Sequence, residues 1–330
     1  MRPKIGLVGY FGWGNFGDEL FVKAHEEFLS DDYELEVVHD MLEAPYFTPE
    51  RLENLSTFDG FLIGGGDLIN PQIVSKLYWL DEYLQKPVFV YGIGVPTPNR
   101  ETSKAINRYK EFFANDSLKC VVLRDKRSLD WFEKVIDTPA VVSTYPDAVC
   151  AMSLPRAVPL EEKTIGISIR SHRSVVGNYE MVREAADAAK ELGYKVRLIV
   201  MSNGVLGEAD YEVTQQFARG DEEIVYAEGL NEICTAIGEC HQLVSMKFHG
   251  MIVATMYGVP SLQLAATQKN RNFLQYIQRP DMQSDYQSEK IALQIPRQPV
   301  CIHSFLRWKL RRDAKAGYEH LRSVMHEVYS

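Results

Sequence analysis

The chain has 330 residues, 45% hydrophobic and 25% charged, a globular composition that excludes disordered, collagen-like and coiled-coil chains. Its length exceeds one ordinary hydrophobic core and fits two domains. With 36 Lys and Arg against 45 Asp and Glu, the net charge is −9, which argues against a general duplex nucleic-acid binder but leaves room for a small anion in a locally basic pocket.

The opening Met1-Arg2-Pro3-Lys4 leads into an apolar run ending at Gly9-Tyr10, too short for a secretory leader. Ile5–Val8, Gly60–Ile63, Val88–Tyr91 and Lys119–Leu123 are nearly continuously apolar, as strands buried on both faces are. Between them, helices are expected over Asp18–Leu29, Ile73–Tyr83, Ser103–Ala114 and Lys126–Val135. This βαβα rhythm predicts a parallel, doubly wound sheet. Residues 152–164, with two prolines and a fresh charge cluster, read as a linker. The rhythm then restarts, with strands expected at Ile165–Ile169, Lys195–Met201, Glu223–Tyr226 and Gln242–Val244. Helices are expected at Tyr179–Leu192, Gly207–Ala218, Leu230–Cys240 and Gly250–Tyr257.

The segment His303–Tyr329 reads as one helix with Ala314, Tyr318, Leu321, Met325 and Val328 on one face. From 301 to 330 there are six Lys and Arg against three acids. This is either a solvated helix packing back on the protein or, with Phe305 and Trp308, a contact for anionic lipid headgroups. The expected domains are 1–155, 160–300 and a basic helix over 301–330. No run is long enough to span a bilayer. The five cysteines are scattered without a C-x-x-C pair, as in a reduced cytoplasmic protein.

Gly12, Gly14 and Gly17 satisfy G-x-G-x-x-G, and Asp40 lies near the end of the next strand candidate, which is the spacing of a dinucleotide fingerprint. Asp18 and Glu19 in the first helical turn argue against it, because they would repel a pyrophosphate from that helix end. They cap the helix, or aim a carboxylate into a cleft as a base or hydroxyl acceptor. Gly64-Gly65-Gly66-Asp67 and Tyr91-Gly92-Ile93-Gly94-Val95-Pro96 place further glycine-rich turns after buried strands, on the sheet edge where doubly wound folds form clefts. Cations follow other strands: Arg124, Arg170 with His172 and Arg173, Lys247 with His249, and Lys269. His249-Gly250 opens a helix, whose free N–H groups favour an anion. His249 reads equally as a structural or a catalytic histidine. No zinc, P-loop or nucleophile-elbow pattern is present, and Asp18, Glu19 and Asp67 are too sparse for a dense Mg²⁺ site.

Gly12-Trp13-Gly14-Asn15-Phe16-Gly17-Asp18-Glu19 resembles the opening G-x-x-N-x-G-D-E signature of polysaccharide pyruvyl transferases. Gly64-Gly65-Gly66-Asp67, Tyr91-Gly92-Ile93-Gly94-Val95 and Leu123-Arg124-Asp125 match its middle motifs. Ser245-Met246-Lys247-Phe248-His249-Gly250 with Gly258-Val259-Pro260 resembles its closing S-x-R-L-H-G…G-[VI]-P block, with Lys247 where the family usually has Arg and Phe248 where it has Leu. The ordered matches run from residue 9 to about 270.

The resemblance implies a GT-B-like α/β fold, two Rossmann-like doubly wound domains facing a central cleft, with the C-terminal helix packing back. It implies transfer of the pyruvyl group of phosphoenolpyruvate onto two sugar hydroxyls, giving a cyclic ketal and phosphate. No cofactor is expected beyond phosphoenolpyruvate as co-substrate. The acceptor is expected to be a polymer sugar or a lipid-linked oligosaccharide, with possible peripheral contact at the inner membrane face. The first domain is expected on the acceptor side and the second on the donor side. Carried onto this sequence, His249 is the acid or the donor to the leaving phosphate, and Asp18 the base. Arg124, Arg170, Lys247, Lys269 and Gly250 bind the donor. Asn15, Glu19, Gly65 and Asp67 bind the acceptor. Lys247 is a point charge without the Arg fork. Competing readings are a GT-B glycosyltransferase using a nucleotide sugar, an NAD-dependent oxidoreductase, and a non-catalytic carbohydrate-binding or assembly subunit.

Overall fold

A computed structural model describes the chain except residues 1, 39–53, 76, 98–100, 172–178 and 297–298, so Asp40, His172 and Arg173 lie outside the described residues. Contacts divide it into two compact units, each discontinuous in sequence. The first comprises residues 1–13, 18–152 and 310–330, and the second residues 14–17 and 153–309.

The first unit is built on β1 (Lys4–Val8), β2 (Glu34–Val37), β3 (Gly60–Gly64), β4 (Val88–Ile93), β5 (Leu118–Leu123) and β6 (Val141–Thr144). They form one sheet in the order β2-β1-β3-β4-β5-β6, every pairing parallel. The central β3 and β4 are buried along their whole length, which explains their unbroken apolar sequences. Helices α1 (Phe16–Leu29), α2 (Ser103–Phe113) and α3 (Lys126–Val135) are the crossovers. Thr102 caps α2 and Asp125 caps α3 through backbone N–H groups of the first turn. A core of aromatics, among them Trp79, Tyr109, Phe112, Phe113 and Phe132, fills one side of the sheet.

The expected helix over Ile73–Tyr83 does not form. Apart from a 3-10 turn at Asp81–Gln85, the described residues there are an irregular loop. Side-chain hydrogen bonds tie this segment and the residues just before it. Arg108 donates to the Trp79 carbonyl at 2.6 Å, and the Tyr109 hydroxyl donates to that of Asn70 at 3.2 Å and accepts from the Asn70 N–H at 2.9 Å. Trp79 Nε1 donates to the Leu68 carbonyl at 3.1 Å. Such side-chain bonds, and not a helical ladder, hold the backbone here.

The second unit pairs β7 (Thr164–Ser168), β8 (Lys195–Ile199), β9 (Glu223–Val225), β10 (Gln242–Ser245) and β11 (Ser261–Gln263) in the parallel order β11-β10-β7-β8-β9. Its helices are α4 (Glu180–Glu191), α5 (Gly204–Phe217), α6 (Leu230–Gly238), α7 (Phe248–Tyr257) and α8 (Gln268–Tyr276). Ile165, Ile167, Leu198, Val244 and Leu262 lead its separate core.

The last helix, α9 (Ser304–Tyr329), buries Leu310, Ala314, Gly317, Tyr318, Leu321 and Met325. From Leu310 onward it belongs to the first unit. The Tyr318 hydroxyl lies 3.1 Å from His25 Nδ1 of α1, and its ring stacks on Phe28 at 4.4 Å. Burial pushes the His25 pKa down to about 3, so the imidazole is neutral.

The strand orders locate the ligand-binding edges. Winding reverses between β1 and β3 in the first sheet and between β7 and β10 in the second. At such points the following loops diverge and leave a crevice at the strand C-termini.

Candidate active site

In the first unit the reversal point is flanked by the loop from Gly9 and by Gly64–Asp67. Arg124 follows β5 directly, and its backbone N–H donates to the Ile93 carbonyl at 3.0 Å. Its side chain is only 3% exposed and is ion-paired to Asp67, with Asp147 Oδ2 3.9 Å from Nη1. Gly94 is glycine because this pair lies directly on it: a Cβ there would sit 2.5 Å from Asp67 Oδ1 and 2.7 Å from Arg124 Nε. Burial alone would lower the Arg124 pKa, but Asp67, Asp147, Asp125 and Asp18 together hold it above its usual value.

One guanidinium is thus ringed by several carboxylates. Asp125 is committed to capping α3 and Asp147 caps the turn at Ala148–Ala151. Asp18 Oδ1 lies beside Gly66, and Glu19 Oε1 accepts from the Gly12 N–H at 2.9 Å. Gly65 packs against the Phe21 ring of α1. This edge can accept hydrogen bonds from hydroxyls and can hold a carboxylate as a base. Its net charge does not favour a trianion. Among the described residues no group of His, Cys, Asp and Glu could hold a metal ion.

In the second unit the reversal point lies between Arg170, two residues past β7, and the turn from β10 into α7. Ser245 Oγ accepts from the Lys247 N–H at 2.9 Å and donates to the Lys247 carbonyl at 3.2 Å, fixing that turn. His249 and Gly250 are the second and third residues of α7, both buried, with Gly250 packed on Met201. The Phe248 ring meets His249 edge-on at 5.0 Å, and Lys269 Nζ sits 5.4 Å from its centroid. Phe248 therefore supplies an aromatic face for Lys269. An imidazole, an ammonium and the N–H groups of a helix start are gathered in one place.

Lys247 behaves differently from the other cations. Its Nζ lies 2.7 Å from Asp210 Oδ2, and Asp210 also accepts from the Ser202 hydroxyl and the Ser171 N–H, each at 2.6 Å. Asp210 is buried, so the Lys247 charge is already compensated. Arg170 is half-buried, accepts the Tyr179 hydroxyl on its carbonyl, and its Nε has no hydrogen-bond partner among the described residues.

The glycine-rich segment Gly14–Gly17 belongs to this second unit. Asn15 forms an antiparallel bridge with Ser202, and the Gly14 carbonyl accepts from the Asn203 N–H at 2.8 Å. Asn15 Oδ1 accepts from the Gly17 N–H at 3.3 Å. Gly17 itself lies against the imidazole: a Cβ on it would overlap His249 Nδ1. The opening and closing motifs, more than 230 residues apart in sequence, meet at this contact.

The structure thus gathers His249, Lys269, Lys247, Arg170, Gly250 and Asn15 in the second unit. It gathers Asp18, Glu19, Gly65, Asp67 and Arg124 in the first. Arg124 does not share a unit with the other cations. Sequence reasoning missed Phe248 and Asp210 as members of the site. The departure from Leu marked Phe248, whereas nothing in the sequence distinguished Asp210 from a solvated helix acid.

The model of the polysaccharide pyruvyl transferase family matches residues 15–265. No curated protein matches the chain in sequence. Among solved structures, similarity extends to a putative UDP-N-acetylglucosamine 2-epimerase from Listeria monocytogenes, with 12% identity, 100% of this chain and 97% of that chain covered, and a TM-score of 0.58. The UDP-GlcNAc 2-epimerase from Methanocaldococcus jannaschii gives 10% identity, coverage of 99% and 100%, and a TM-score of 0.58. The glycotransferase of kitacinnamycin gives 12%, coverage of 100% and 99%, and 0.56. At such identities these likenesses show the fold, which is of the GT-B class. Two parallel α/β units, the motifs at their strand ends and a family match that runs from the Asn15 loop past β11 together show that the chain belongs to the polysaccharide pyruvyl transferase family.

Proposed function

We propose that this enzyme transfers the pyruvyl group of phosphoenolpyruvate onto two hydroxyls of one sugar, forming a cyclic ketal and releasing phosphate. The observation that carries this reading is the cluster at the start of α7, where His249 and Lys269 flank Phe248 at the N-terminal turn of the helix. Phosphoenolpyruvate carries about three negative charges at neutral pH, from a phosphate and a carboxylate. Lys269, Arg170 and the α7 N-terminus suit those groups. Lys247, neutralised by Asp210, shapes the site instead of gripping the donor.

Two C–O bonds form at the enol carbon and its bond to the phosphate oxygen breaks. The two hydroxyl protons are balanced by one proton added to the methylene carbon and one carried away on phosphate. His249 delivers a proton to the methylene carbon or to the departing phosphate. Asp18 takes a proton from an acceptor hydroxyl. The carboxylate-rich edge with Glu19, Gly65 and Asp67 suits a neutral, hydroxyl-bearing acceptor better than an anion. The proposed acceptor is a lipid-linked oligosaccharide or a sugar of a growing polymer, used at the cytoplasmic face of a membrane. The proposed steps call on no resident cofactor.

Phosphate release from phosphoenolpyruvate, measured over a panel of lipid-linked and aryl glycosides with mass detection of the ketal, tests this reading. His249→Ala and Asp18→Ala are each expected to abolish turnover with the fold intact. Wild-type-like activity in either overturns that role. Nucleotide release from a sugar nucleotide, with no phosphate release, would establish glycosyl transfer instead.

A further inference from the structure

We propose that the outward face of α9 docks on the surface of an anionic lipid bilayer. Phe305 and Trp308 are 61% and 54% exposed, and their rings stack at 5.7 Å with planes 28° apart. Two stacked aromatics facing water form one continuous apolar ledge. Tyr276 and Val300 are exposed as well, and Lys309 Nζ lies 5.2 Å from the Tyr276 ring.

The charge around the ledge is predominantly positive. Residues 304–315 hold Arg307, Lys309, Arg311, Arg312 and Lys315 against Asp313 alone. Arg307 is engaged by the Tyr257 carbonyl, and Arg312 by the neighbouring Asp313. Arg311, Arg312 and Lys315 are exposed. Positions 305, 308, 312 and 315 recur at helical spacing, so the aromatic pair and the cations share one stripe of the helix. The opposite stripe, from Leu310 to Met325, is buried, which fixes the basic stripe outward.

A bilayer surface fits this pattern better than a protein partner does. Aromatic rings favour the headgroup level and flanking Lys and Arg favour anionic headgroups. Among the described residues no helix is long and apolar enough to cross a membrane, so the contact is one of lying on the surface. The rest of the chain carries a negative balance, because the total is −9 while this segment is positive. An anionic surface therefore repels most of the molecule and attracts this face, which orients the approach. The inference gives the proposed lipid-linked acceptor a physical setting without depending on the reaction.

Co-sedimentation of the full chain with vesicles tests it, using phosphatidylcholine alone and phosphatidylcholine with 30 mol% phosphatidylglycerol. Binding is expected only to the anionic vesicles and is expected to weaken as salt is raised. Phe305→Ser with Trp308→Ser, and separately Arg312→Glu with Lys315→Glu, should each cut binding by tenfold or more. All four side chains are exposed, and circular dichroism verifies the fold. Failure of wild-type chain to bind anionic vesicles overturns the proposal. So does equal binding to neutral vesicles, wild-type binding by both double variants, or a dimer that the aromatic variant dissociates. No donor or acceptor sugar enters the assay, so its outcome stands apart from that of the phosphate-release experiment.

Discussion

Gly17 shows how much one missing methyl group can decide. It lies in the first turn of α1, where Ala is a better helix former than Gly by about 1 kcal/mol. Substitution by Ala should therefore favour the helix, yet the new Cβ would displace the imidazole of His249. A displacement near 1 Å at a reacting group costs about 100-fold in rate. Gly17→Ala is expected to lose activity on that order while keeping its thermal midpoint, as read by phosphate release and calorimetry. His25 gives a second prediction, this one of stability. Its folded pKa is about 3 against an ordinary 6.5, because burial disfavours the charged ring. Between these values the unfolded chain binds the extra proton, so the neutral ring's contribution is fully present above pH 6.5 and is lost as pH falls. Each pH unit in that window should cost about a tenfold in the folding equilibrium constant. His25→Gln is expected to flatten the acid limb of stability against pH by one proton, measured by denaturant titration.

At the scale of elements, α9 was legible in the sequence because its apolar stripe repeats at helical spacing over many turns. Ala314, Tyr318, Leu321 and Met325 are buried as that stripe requires, and Val328 is half-buried. Leu321→Ala should cost about 2–5 kcal/mol in stability, the range for a truncated core leucine, and urea titration reads it. Central strands were legible for a related reason: burial on both faces leaves only apolar choices. Edge strands were not, since β2 and β6 alternate or stay half-exposed and carry no such signature. The loop over Ile73–Tyr83 misled for the opposite reason. Its apolar spacing matches a helix, but Trp79 and Tyr83 are buried individually and its backbone is held at Trp79 by Arg108 and at Ile73 by Tyr109, both from a later helix. Such long-range bonds leave no trace in a local window. The same holds for the site. Motif spacing marked Asp18 and His249, while the Lys247–Asp210 pair and the Phe248–Lys269 contact depend on how α7, α5 and α8 pack.

Over the whole molecule, the cysteines provide a simple check on how the cores close. Cys120, Cys150, Cys234 and Cys240 are buried and Cys301 is exposed, all as free thiols. Burial pushes Cys120 and Cys240 up to about 12 and Cys150 well above its usual value, so these thiols resist forming the reactive thiolate. A thiol-specific chromogenic reagent is expected to titrate one group in the native protein and five after denaturation. More than one native equivalent would mean that a core opens.

The threading of the chain has a practical consequence for anyone who tries to divide the protein. Residues 14–17 belong to the unit formed mainly by 153–309, and residues 310–330 to the unit formed mainly by 1–152. A cut at the linker would therefore not release two intact pieces. The N-terminal fragment would lose Tyr318 and Leu321, leaving His25 and Tyr91 without their cover. The C-terminal fragment would lose Gly17, the surface on which His249 rests. Co-expression of the two fragments, or a circular permutant that joins the old ends and opens the linker, keeps every segment available to its own unit.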